Sequence, residues 1–293
     1  MFFERGSVMF SRAKRTSENM ALALFAGVIL YFLYSVAISE MEFQSDTVST
    51  LVSLIFALLF QLVPAAVFLR MQKLSRLEKI KLEKSQEGSV RDNILLAFVG
   101  FALIFIFGLL YTAAFPMAAA SYDDKTFGQT LLSVISCAVI PAVCEEFLYR
   151  RLFCRELTVY GNAFAVIGSS LLFALVHYSY YVFPYAFICG LVFGFVYTKT
   201  GSVRYTMGIH FMNNLGSYIL SRISAGLTYI LYLRLMIILF AVLFVLMLCA
   251  LHLLSPNISR KFSSKEYGNV SSSAFLTFPM VVFIVCAIIM NFI

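Results

Sequence analysis

Cys144-Glu145-Glu146-Phe147-Leu148-Tyr149-Arg150 places two adjacent carboxylates and a guanidinium in an apolar run. Two more stretches repeat the oddity. Phe173-Ala174-Leu175-Val176-His177 ends on an imidazole, and His210-Phe211-Met212-Asn213-Asn214 carries an imidazole and two amides. Between Pro141 and Asn214 most residues are apolar. An acid or imidazole in such surroundings loses its water and must find a partner or become neutral. Ionisable groups are rare inside membrane spans and mark a functional site by default.

The rest of the chain says that the surroundings are a bilayer. Of 293 residues 61% are hydrophobic and 13% charged, with a mean hydropathy of +0.90. A soluble domain carries about 25% charged residues. Runs of about 20 apolar residues, the length that crosses the hydrocarbon core, fall near 21–39, 49–69, 93–115, 128–148, 162–182, 184–198, 205–221, 231–254 and 274–293. The predicted fold is all-α, a polytopic transmembrane helical bundle of eight or nine spans. No repeat, low-complexity tail or soluble module interrupts it, so residues 1–293 read as one membrane domain. The run after Met20 is a span rather than a signal peptide, because no small-residue cleavage site separates it from the polar stretch Ser39–Thr47. The six cysteines lie in or beside apolar runs and read as reduced core residues.

Charge tests the topology independently. Four basic residues fall at 5–15, seven at 70–91, three at 150–155, two at 199–204 and three at 260–265, nineteen of the 22 in the chain. The alternate connections hold only Lys125, Arg222 and Arg234. Every second loop is basic, as nine spans with a cytoplasmic N-terminus require. The net charge of +7 therefore reflects topology, and nucleic acid is not an expected partner. In the loop at 70–92, Leu74, Leu77 and Ile80 recur at helical spacing among cations. That pattern fits an amphipathic helix on the inner leaflet, or equally a solvated basic loop.

Helical geometry brings the unusual residues towards one depth. Arg150 follows Glu146 by four residues, so the two can pair along a helix and leave Glu145 to face something else. Gly161 marks a turn that lies sixteen residues from both Glu145 and His177, about 24 Å along each helical arm. Gly201 marks the next cytoplasmic turn; Asn214 lies about 20 Å beyond it and His210 about 14 Å. His210 and Asn214 share a face at i, i+4. The expectation is a single polar cavity lined by Glu145, His177, His210 and Asn214. His252, alone near the end of its span, reads as a tie between helices. No nucleophile elbow, phosphate loop, CxxC or HExxH is present.

Taken together the three stretches resemble the CAAX prenyl endopeptidase and bacteriocin-processing family, CPBP or Abi. Its motifs are EExxxR, FxxxH and HxxxN, found here as Glu145-Glu146 with Arg150, Phe173 with His177, and His210 with Asn214. The resemblance covers a catalytic core of about four helices, residues 128–221. It implies an intramembrane endopeptidase whose site residues are Glu145, Glu146, Arg150, His177, His210 and Asn214. The family is often described as metalloproteases, which makes Glu145, Glu146, His177 and His210 the ligand candidates for Zn2+ or another divalent metal. The residue types favour a reading without metal: Glu145 activates a water, His177 helps hold it, His210 and Asn214 serve as oxyanion donors, and Glu146 and Arg150 orient the site. Implied partners are the lipid bilayer and a peptide or membrane-protein substrate, prenylated in some relatives. The expected location is the cell membrane, multi-pass. Two other classes compete: a non-catalytic membrane protein of the same fold, in bacteriocin immunity or regulation, and a proton-coupled transporter, for which no paired repeats are seen.

Overall fold

A computed structural model describes residues 2–39, 46–75, 89–115, 126–224, 226–254 and 270–292. The basic stretch at 76–88, and with it most of the amphipathic helix expected there, lies outside the described residues, as do 255–269. The described residues form an all-α membrane bundle. Its helices are α1 (Phe2–Ser39), α2 (Asp46–Leu74), α3 (Val90–Ala114), α4 (Phe127–Tyr160), α5 (Asn162–Leu175), α6 (Phe183–Thr200), α7 (Val203–Ser224), α8 (Tyr229–Leu254) and α9 (Phe278–Phe292). Stretches of α1, α2, α3, α4, α6 and α8 are long and apolar enough to cross a bilayer. Helices α5 and α9, at 14 and 15 residues, are shorter than a full crossing. Helix α7 is long but carries polar residues along its length.

Two helix starts have local causes that hydropathy does not reveal. Ser89 caps α3: its Oγ accepts from the Asp92 backbone N–H at 3.1 Å, and Asp92 Oδ2 accepts from the Ser89 N–H at 3.4 Å. Thr126 and Gln129 make the same reciprocal pair at the start of α4. Each box satisfies N–H groups that a helix start leaves bare.

Helix α4 departs from the expected span at 128–148. It continues to Tyr160, and it widens into π-helical geometry at Ile135–Val139 and again at Glu146–Cys154. The stretch 150–161, expected to be a cytoplasmic loop, is thus mostly helix. Leu152, Phe153, Cys154, Glu156, Leu157 and Thr158 in it are buried. The helix stops at Gly161, whose φ of +103° suits a residue without a side chain. The next span also differs: α5 ends at Leu175, so His177 lies just beyond the helix rather than within it.

The chain folds into two compact units, and the division falls within α4 and within α6. The first unit contains α1, α2, α4 from Cys144 onward, α5, α6 up to Gly194, and α9. In it α1 packs along α2 and α9, and α5 along the second π-helical stretch. Pro64 interrupts α2 but is accommodated: a Cβ on Gly27 would stand 3.2 Å from its ring, so α1 approaches closely there. The second unit contains α3, the first half of α4, the end of α6, α7 and α8. Helix α3 packs against α8 and α7, and α7 against the π-helical turn at Ile135–Val139. Much of α8 stays exposed, including Ile230, Ile237 and Ile238 at over 60%. In water such a surface is a liability; facing lipid tails it costs nothing. All six cysteines are free thiols, two of them buried and Cys249 exposed.

Candidate functional site

The first unit holds Glu145, Glu146, Arg150 and His177. Glu146 and Arg150 form an ion pair, Nε to Oε2 at 3.3 Å, with both side chains fully buried. The guanidinium is enclosed. Its Nη1 donates to Ser169 Oγ on α5 at 3.2 Å, and its Cζ lies 5.2 Å and 5.6 Å from the ring centres of Phe173 and Phe193. Charge neutralisation, a hydroxyl acceptor and two aromatic faces together offset the loss of water. Arg150 is therefore an interior residue rather than a loop cation, which corrects its place in the charge count.

Glu145 stands at the last α-helical position before the second π-helical stretch. It turns towards α2, where Gln61 Nε2 donates to its Oε1 at 2.7 Å. Gln61 is buried at 7% exposure. It is not among the site residues expected from the sequence, although a signal for it exists: an amide in the middle of the otherwise apolar run 54–69 meets the same test that singled out the glutamates.

A cavity of about 20 Å3 lies beside Glu145, walled by Gln61, Pro64 and Leu148 together with Phe60, Val176 and Tyr178. A second cavity, of about 300 Å3, shares Phe60, Val176 and Tyr178 as walls and reaches His177, Tyr31 and Ser53. The structure thus places Glu145 and His177 on two cavities with common walls. The imidazole is held by its own backbone, Nδ1 lying 2.8 Å from the Phe173 carbonyl oxygen, and Phe173 stacks edge-on against it at 4.9 Å. That bond fixes the orientation of the ring.

The turn carrying His177 is set from far along the chain. Asn291, on α9, donates to the Leu175 carbonyl at 2.8 Å and accepts from the Ser179 N–H at 2.8 Å. Its backbone carbonyl accepts from the Tyr180 N–H at 3.1 Å. One buried amide caps the end of α5 and holds the turn on both sides of His177. Between these anchors Tyr178 adopts a φ of +46°, unusual for a residue with a bulky side chain.

The second unit holds His210 and Asn214 on α7. His210 is buried at 5% exposure. Asn214 Nδ2 donates to the Cys137 carbonyl at 3.0 Å, inside the first π-helical stretch. Widening a helix disturbs its regular hydrogen bonding, and Asn214 supplies a donor to one of the carbonyls there. One of the amide's two donors is thereby engaged.

Among the described residues no three His, Cys, Asp or Glu side chains form a group that could hold a metal ion, and the Glu146 carboxylate accepts from Arg150.

Neither a curated protein nor a solved structure matches the chain. Residues 127–216 match a family model described as type II CAAX prenyl endopeptidase Rce1-like. That segment begins beside the Thr126 cap, contains all three motifs and ends two residues after Asn214. The match and the motifs agree: over residues 127–216, about a third of the chain, the sequence is similar to the type II CAAX prenyl endopeptidase family.

Proposed function

We propose that the protein is an intramembrane endopeptidase that hydrolyses a peptide bond with a water activated by Glu145. The observation that carries this reading is the cavity beside Glu145, of a size for one water, walled in common with the larger cavity at His177. Hydrolysis inside a bilayer needs a water, a base and donors for the oxyanion. The Glu145 carboxylate takes one proton from the water as the oxygen forms its bond to the peptide carbonyl carbon. The carbonyl electrons move onto oxygen. When the tetrahedral species collapses, the C–N bond breaks and the proton passes from Glu145 to the departing amine.

The other motif residues take supporting roles. His177 holds the water or shares its proton. His210, and the amide donor of Asn214 not engaged by Cys137, are the candidate oxyanion donors. Glu146 and Arg150 set the helix that carries Glu145. The substrate class is a peptide or membrane-protein segment reached from the bilayer, prenylated in some relatives, and the location is the cell membrane.

The test is cleavage of a model membrane substrate by the protein in proteoliposomes. Glu145→Ala is expected to lower the rate by about 10²–10⁴-fold, the usual worth of a placed base. Cleavage by Glu145→Ala at the wild-type rate would overturn the protease reading in favour of a non-catalytic role for the fold.

A further inference from the structure

Two side chains that belong to none of the three motifs meet at the cavity beside Glu145. Both Gln61 and Tyr178 line it. Gln61 Oε1 is buried and has no hydrogen-bond partner among the described residues, and the same holds for Tyr178 Oη. Buried polar atoms are nearly always satisfied, and an exception calls for a missing partner. Here an unused acceptor and an unused donor belong to two residues that line a cavity also walled by Glu145. The backbone adds a third sign. Tyr178 sits at φ +46°, and such conformations persist where the surroundings impose them, commonly at functional sites.

The volume decides what can satisfy them. About 20 Å3 exceeds the roughly 10–15 Å3 that a single water requires and leaves room for little else. A cavity lined only by apolar groups such as Leu24, Leu148 and Val176 would stay dry, whereas a buried water needs two to four polar partners. We propose that Gln61 and Tyr178, together with Glu145, form a built site for one water and are positioning residues for it. Gln61 Oε1 accepts one O–H of the water and Glu145 accepts the other. Tyr178 Oη donates to one lone pair of the water oxygen and leaves the second directed at the substrate carbonyl carbon. Gln61 does double service, since its Nε2 also holds Glu145 Oε1 at 2.7 Å. The inference rests on the reading of Glu145 as the base and names what holds the nucleophile in place.

Tyr178→Phe removes the hydroxyl and keeps the ring against Tyr31, 4.6 Å away between centres. Gln61→Leu keeps most of the side-chain volume. Each is expected to lower kcat about tenfold with KM changed less than about twofold, as the loss of one hydrogen bond to the reacting water would do. Tyr180→Phe, an exposed neighbour, keeps the wild-type kcat. Wild-type kcat in both test variants, or an equal loss in Tyr180→Phe, would overturn the inference while leaving the protease reading in place. An experimental structure fine enough to show waters is a second readout that does not depend on turnover. Density within about 2.6–3.2 Å of Glu145, Gln61 and Tyr178 is expected, and a dry cavity overturns the inference. Should Glu145→Ala cleave normally, the protease reading falls, and the density still decides whether the water site exists.

Discussion

Glu145 and Arg150 are five residues apart, and the structure gives them opposite consequences. Arg150 is wholly buried and meets a carboxylate, a serine hydroxyl and two phenylalanine rings. Arg150→Ala strips the counter-charge from Glu146, itself fully buried. Breaking a buried pair from one side costs about 3–5 kcal/mol, so the variant should melt well below the wild type in detergent. Glu145 is half-buried and accepts a hydrogen bond from a neutral amide. Glu145→Ala leaves Gln61 Nε2 without that acceptor, a loss of no more than about 1–3 kcal/mol, while on the proposed mechanism cleavage is expected to fall by about 10²–10⁴-fold. Parallel melting and cleavage measurements on the two variants separate the roles. If Arg150→Ala melts with the wild type, the buried pair does not hold the fold together. The motif carboxylates were legible in the sequence because charge in an apolar run is conspicuous. Gln61 was equally visible but uncharged, and Tyr178 carried no signal, because its backbone conformation and its unpartnered hydroxyl are properties of the fold.

Helices α5 and α6 show why some positions must be glycine. A Cβ on Gly190 would stand 2.8 Å from Ser170 Cβ and 3.0 Å from its Cα, and one on Gly194 would stand 3.2 Å from Val166. Two glycines four residues apart let α6 lie directly on the α5 backbone, the small-residue packing by which membrane helices associate without a hydrophobic drive. Gly190→Val should therefore destabilise by at least the roughly 1–3 kcal/mol of an overpacked core, since backbone rather than a flexible side chain stands in the way. Gly208 on α7 has nothing within 4 Å of its would-be Cβ. Gly208→Ala should be neutral or stabilising by up to about 1 kcal/mol. Equal melting of the two variants would refute the close approach. At this scale the sequence was less informative. The hydropathy of α4 gives no hint of its π-helical stretches, which change the number of residues per turn without changing which residues are apolar. The end of α5 was placed too late, because what stops it is Asn291, 116 residues further along the chain from Leu175. A window sliding over Phe173–Val182 cannot register a cap supplied from α9.

Topology depends on α7. Its 22 residues reach about 33 Å at 1.5 Å per residue, enough for a hydrocarbon core of about 30 Å, yet its polar content keeps it off the set of plainly apolar spans. The polar residues are not spread evenly. Thr206, Ile209, His210 and Asn213 are buried and recur at helical spacing, while Met212, Ile219 and Ile223 are exposed. Averaging over the whole helix charges the inward stripe against membrane insertion, although that stripe meets protein rather than lipid. Arg204 and Arg222 lie near the two ends, where long cationic side chains can extend to the headgroups. The expected outcome is that α7 crosses the bilayer, with Ser202 on the cytoplasmic side beside Lys199 and Arg204, and Thr228 on the opposite side. The check is labelling by an impermeant thiol reagent of Ser202→Cys and Thr228→Cys, in a background lacking the six native cysteines. Ser202→Cys should react only from the inner face and Thr228→Cys only from the outer. Reaction of both from one face would make α7 re-entrant, reverse the direction of α8, and cut the span count expected from the sequence.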